Sequence, residues 1–190
     1  VGKTMLTAAL GAQWAARGKR VVLVDMNIGM RGLDMLMGLE SRIGFDLGDV
    51  VEGTCGLSSA LIENRQLGVR MIAAKQFDEK KPLKERTLQI ILEVLCLQND
   101  IVLMDAPSGL SYGLELAARM TQEILMVATP DDSSLRDAER TAAVLAAYEK
   151  PRPMLVVNRI QQRVVAEGLQ YGPAVCAPLR GRRLAGVIPA

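Results

Sequence analysis

The chain has no histidine at all. That absence removes imidazole acid–base catalysis, Ser-His triads and histidine-ligated zinc. Aromatic residues are nearly as scarce, at 3% of 190 residues, with a single Trp. Any core must therefore be aliphatic, and the supply is ample: 49% of the chain is hydrophobic, including 10 Met. Cysteine is thin too. Cys55, Cys96 and Cys176 are widely separated and odd in number, a poor disulfide framework that fits thiols in a reducing compartment. No apolar run is long enough to span a bilayer, and no secretory leader is visible. The net charge of +2 gives no case for a nucleic-acid partner.

What remains is a β-α alternation. The runs "VVLVD" (21–25), "MIAA" (71–74), "IVLMD" (101–105), "ILMVAT" (124–129), "MLVVN" (154–158) and a late "GVI" (186–188) read as strands. They are apolar on consecutive residues, as expected for parallel strands covered on both faces. Between them, 3–17 reads as a helix stopped by Gly18, 83–97 carries a stripe at Leu88, Ile91, Leu92 and Leu95, and 133–148 starts at a cap of Asp132 or Ser133. The order predicts an α/β fold, a doubly wound and mostly parallel sheet with helices on both faces, in one domain over 1–190. No linker or internal repeat is seen. Residues 161–184, rich in Gly, Pro and Arg, read as an irregular connection.

Three places carry chemistry. "VGKT" at 1–4 runs directly into a helix pattern. In a phosphate-binding loop the glycine lets backbone N–H groups turn toward phosphate oxygens, the lysine meets the outer phosphates and the hydroxyl ligates Mg²⁺. Four letters also fit a helix with a solvated lysine near its start. "IVLMDAPSG" ends a buried strand in Asp105, where a P-loop enzyme needs a carboxylate for Mg²⁺, and Gly109 follows as a backbone donor toward a terminal phosphate. "VVLVDMN" ends the first strand in Asp25 and Asn27, at the carboxyl edge where ligands bind, although ordinary turn chemistry explains the same residues.

The set "VGKT", "VDMNIGMRGLDMLMG", "DVVEGTCGLSSALI", "MDAPSG", "TPDDSSLRDAERT", "VVNRI" and "GVIP" resembles, in order and over nearly the whole chain, the ParA/MinD family of deviant-Walker P-loop ATPases, and within it the branch that sites the division septum. The resemblance implies a P-loop fold with ATP and Mg²⁺ as cofactors. It places Val1, Gly2, Lys3 and Thr4 on the phosphates and Asn158, Arg159 and Pro189 near the base. Thr4, Asp25 and Asp105 fall on the metal, and Lys3, Asn27 and Asp105 in catalysis. Ser134, Arg136, Asp137 and Arg140 fall on the dimer and partner face, a helix face whose plainer reading is solvated charge. It further implies an ATP-dependent homodimer, peripheral on the cytoplasmic side of the bacterial inner membrane, with a MinC-like inhibitor and a MinE-like activator as partners. The family's loop reads K-G-G-V-G-K-T. The resemblance therefore implies a chain shortened at both ends, without the first strand, the signature lysine and the C-terminal membrane helix.

The departures matter as much. The second acid of switch I is here Asn27, which orients water but cannot take its proton as a carboxylate does, so slow hydrolysis is expected. Ser111 replaces an acid in switch II. "GPAVCAPLRGRR" replaces a polar connection and leaves the base pocket open. Two other functions compete: a flagellar-number regulator of FlhG type, and a non-hydrolysing binding remnant. Iron proteins that bridge a dimer with an iron–sulfur cluster share the fold, but no cysteine follows Asp105 here.

Overall fold

A computed structural model describes residues 2–76, 83–148, 153–168, 170–172, 176 and 183–190. It divides into two compact units: Thr4–Met120, and Thr121–Ala190 together with the N-terminal residues up to Lys3.

The first unit is built on β1 (Val21–Asp25), every residue of which is buried. It lies between β3 (Val69–Ile72) and β4 (Ile101–Asp105), parallel to both, while the short β2 (Ile62–Asn64) runs antiparallel on the far side of β3. The period of two along a strand decides the layers. Val21 and Leu23 face one cluster with Leu33, Met37, Leu39 and the partly buried Ala8 and Ala15 of α1 (Lys3–Ala16). Val22 and Val24 face another, formed by α3 (Leu47–Glu52), α5 (Glu85–Gln98) and α6 (Tyr112–Met120) through Leu47, Val50, Leu92, Leu95 and Leu116. Helices thus cover both faces, as the doubly wound reading requires. The expected stripe Leu88, Ile91, Leu92, Leu95 is the buried face of α5.

Local rules end the helices. Gly18 takes φ 78 just past α1, where its N–H meets the Ala15 carbonyl at 2.9 Å. Asp46 and Asp49 form a reciprocal capping box on α3, and Gly53 closes it in the left-handed region. Two further short helices, α2 (Leu33–Leu36) and α4 (Leu57–Ala60), complete the unit with a 3₁₀ turn at Glu40–Arg42.

The second unit is a parallel three-stranded sheet, β5 (Leu125–Ala128), β6 (Met154–Ile160) and β7 (Leu184–Pro189), with β6 central. Helix α7 (Asp132–Leu145) packs on it through Leu135, Ala142 and Leu145, and α8 (Gln162–Ala166) follows β6.

The strands form two sheets among the described residues, one per unit. Several local expectations are corrected. The α7 cap is Asp131, one residue earlier than expected: its extended backbone (φ −127, ψ 155) aims the carboxylate at the Ser134 N–H, 2.9 Å away. The strand at 71–74 begins at Val69 and stops at Ile72. Residues 161–184 are not wholly irregular, since α8 lies within them; 173–175 and 177–182 lie outside the described residues.

Candidate functional site

The N terminus of α1 opens on Gly2, Lys3 and Thr4. Val1, assigned to the phosphates from sequence, lies outside the described residues. Gly2 holds φ 93, a conformation that L side chains rarely adopt. It is also crowded: a Cβ there would lie 2.4 Å from Nδ2 of Asn158. Only glycine meets both conditions. Asn158, from β6, is thereby brought against the loop glycine, both residues belonging to the second unit. The next residue, Arg159, is exposed and adopts φ 61, at a register shift in the β6–β7 pairing. The shift falls at the strand end carrying Asn158 and Arg159. Pro189, exposed, pairs with Ile160 at the end of β7.

In the first unit, Asp25 and Asp105 are register partners at the ends of β1 and β4, with 0% and 2% of their surfaces exposed. Two carboxylates side by side in an apolar surrounding are costly unless partnered. Asp105 accepts a hydrogen bond from the Thr7 hydroxyl of α1 at 3.5 Å. Thr7 was missed from sequence, although it stands one helical turn beyond Thr4, three residues on along the same face. Asp25 accepts from the backbone N–H of Asn27 at 2.9 Å and of Leu33 at 3.3 Å. Burial raises the Asp25 carboxyl to about 6, against the pull of those two N–H groups, with the charges of Asp105 and Asp34 adding to the rise.

Asn27 itself is half-buried, and its carbonyl accepts the N–H groups of Met30 and Arg31. The chain after β1 is stitched to that after β4. The Met26 N–H donates to the Asp105 carbonyl at 3.0 Å, and Gly113 of α6 packs so closely on Met26 that a Cβ would stand 2.9 Å from its carbonyl oxygen. Gly109 takes φ 76 between these segments. Ser111, which stands where an acid was expected, starts α6: its hydroxyl accepts the Leu114 N–H at 3.4 Å.

Among the described residues, no cluster of three or more His, Cys, Asp or Glu side chains is placed to hold a metal ion. On α7, Arg136, Asp137 and Arg140 are exposed and line, with Asp132 and Ser133, a cavity of about 390 Å³. Ser134 faces inward, its hydroxyl accepting the Thr129 N–H at 3.0 Å.

A glycine held in the left-handed region before a helix N terminus, a lysine and threonine opening that helix, and buried carboxylates on neighbouring strand ends define a P-loop nucleotide-binding domain. The model of the CobQ/CobB/MinD/ParA nucleotide-binding domain matches residues 1–190, and the chain belongs to this family. It is 36% identical to the septum site-determining protein MinD of Helicobacter pylori, covering all of this chain and 74% of that protein. It is 38% identical to MinD of Bacillus subtilis, over 88% of this chain and 64% of the relative. The fold matches MinD in the MinC:MinD cell division complex of Aquifex aeolicus, with a TM-score of 0.91 and 32% identity over all of this chain and 76% of that one. MinD of Pyrococcus horikoshii, solved with Mg-ADP, matches at 0.83 and 25% identity over 99% and 76%.

Proposed function

We propose that this chain is the nucleotide-binding part of a MinD-type ATPase, a switch that binds Mg-ATP, dimerises on it and sites the division septum from the cytoplasmic face of the bacterial inner membrane. The observation that carries the reading is the tie between helix α1, which Thr4 opens in the first unit, and the buried strand-end acid Asp105, whose carboxylate accepts the Thr7 hydroxyl of that helix. The similarity to septum-siting proteins supports the biological role.

In this reading the N-terminal N–H groups of α1 and the Lys3 ammonium bind the phosphates. Thr4 and Asp105 would hold Mg²⁺, with Asp25 beside it in the assignment made from sequence; the ion would supply neutralisation of charge on the terminal phosphates. Asn27 orients the attacking water through a hydrogen bond, and Asn158, Arg159 and Pro189 flank the base. The exposed α7 face of Arg136, Asp137 and Arg140, with Ser134 beneath it, meets a second copy and a MinC-like inhibitor, and a MinE-like activator accelerates hydrolysis. Among the described residues no helix is long and apolar enough to cross a membrane.

The test is binding of a fluorescent ATP analogue with and without Mg²⁺. Lys3→Ala should weaken binding by about tenfold or more, the scale of a lost charge-assisted contact. Equal affinity in both chains would refute the nucleotide reading. Asn27 favours a second reading, nucleotide binding with very slow turnover, which single-turnover hydrolysis separates from the first.

A further inference from the structure

Asp25 combines complete burial with two acceptor bonds spaced along one loop. Its Oδ1 takes the Asn27 N–H and its Oδ2 the Leu33 N–H, so one carboxylate holds both ends of segment 27–33. Ordinary turn chemistry accounts for the first bond, two residues on. It does not account for the second, eight residues on. The middle of the segment is pinned separately. The Gly29 N–H donates to the Lys75 carbonyl at 3.0 Å, and Arg31, at φ 40, pairs its guanidinium with the buried Asp34.

Resting on the nucleotide-switch reading above, we propose that Asp25 is a positioning residue that clasps the 27–33 loop by its two ends and so sets where Asn27 stands, and that it is not a Mg²⁺ ligand. A Mg²⁺ ligand must present an oxygen to a cation that sheds water reluctantly. Each Asp25 oxygen already accepts a backbone N–H of its own chain, so presenting one to a cation would mean sharing or giving up that bond. Asp105, its register partner, shows the contrast: its Oδ1 reaches a hydroxyl on α1. Asp25 therefore acts on the reaction through the loop, and Asp105 through the ion.

The clasp is tested on the whole chain by limited trypsin digestion without nucleotide, reading the cut between Arg31 and Gly32 by mass spectrometry. Cleavage there requires the loop to open, so its rate follows the open population. Asp25→Asn keeps the shape but turns an N–H₂ toward a backbone donor. The cut should quicken by about tenfold or more, the scale of a lost charge-assisted hydrogen bond. Far-UV circular dichroism checks that the variant is folded. The second readout is the Mg²⁺ midpoint for binding the fluorescent ATP analogue, which should stay within about twofold of the parent, whereas loss of a ligand or its support moves it by about 10–100-fold. An unchanged cut, or a tenfold shift in midpoint, overturns the proposal. If Asp25→Asn does not fold, amide exchange on the parent decides: slow exchange at Asn27 and Leu33 supports the clasp, and exchange at the unstructured rate overturns it. If the parent binds no nucleotide, the switch reading fails, while the cut still decides the clasp.

Discussion

Asp25 and Asp105 stand opposite each other in register on adjacent parallel strands, both closed to solvent, yet their carboxylates go to different places. Asp25 turns to the backbone of the segment that follows it. Asp105 turns across to Thr7 on α1. Burial first, and the neighbouring charge of Asp105 after it, push the Asp25 carboxyl toward the neutral form. In the proposed reading, the acid tied to α1 through Thr7 is the one that would share a cation with Thr4. Proximity alone would have given both acids the same task.

The close approach of Gly2 and Asn158 makes a separable prediction. Gly2→Ala should destabilise the chain by about 1–3 kcal/mol, from a φ suited only to glycine and from contact with the Asn158 amide. Asn158→Ala relieves the contact but not the φ. A double-mutant cycle by urea unfolding should therefore give a coupling of about 0.5 kcal/mol or more. Additive effects would mean the two side chains do not meet.

Two helix glycines should respond differently to alanine. In an open helix the change gains about 1 kcal/mol. At Gly11 the new Cβ would meet the Leu23 Cδ2 at 2.8 Å, the end of a side chain that can turn. At Gly113 it would meet the Met26 carbonyl oxygen at 2.9 Å and Pro107 at 3.0 Å, neither of which can turn aside. Gly113→Ala should cost about 2 kcal/mol, within the usual range for overpacking, and more than Gly11→Ala. The comparison is read by chemical denaturation, and a stabilised Gly113→Ala chain would disprove this packing.

Asp100 supplies the pH dependence. Its side chain accepts hydrogen bonds from the Arg20 guanidinium and from the Arg20 N–H, which push its carboxyl down to about 2. The folded value lies below the unfolded one of about 4. The contribution is therefore complete above pH 4 and is lost as the pH falls from 4 through 2. Asp100→Asn should lower Tm slightly at neutral pH, as an exposed pair allows. The difference should vanish below pH 2, and a gap that persisted there would point to a cause other than ionisation.

Much of this was legible in the residues, for identifiable reasons. β1 and β4 begin and end where expected because four apolar residues and a terminal Asp leave no other reading. The α5 stripe is legible because Leu88, Ile91, Leu92 and Leu95 keep a helical period over about two turns. β2 is not: three residues with a Glu in the middle carry no strand signal, and its pairing with β3 is made by tertiary contact. The cap of α7 was misplaced because "PDDSS" offers several adjacent capping residues, and only the extended backbone at Asp131 selects among them. The engagement of Asp25 was beyond reach for a deeper reason. Its partners are backbone N–H groups, which every residue but proline owns, so no residue type announces them.

Asn27 carries the sharpest functional prediction. Its N–H is held by Asp25, so Asn27→Asp changes the chemistry of the side chain without changing where its backbone stands. The amide can orient water, whereas a carboxylate can also take the proton, an advantage of about 10²–10⁴-fold where it operates fully. The new carboxylate would join Asp25, Asp34 and Asp105 and share their mutual repulsion. It ionises less readily than usual, so part of that advantage is withheld until the pH rises. Single-turnover hydrolysis of bound ATP should therefore quicken by about tenfold or more, and the gain should grow between pH 6 and 8. Nucleotide affinity should stay within about threefold, because no phosphate contact is altered. An unchanged rate at every pH would show that residue 27 does not face the attacking water, and the slow-hydrolysis reading would fall with it.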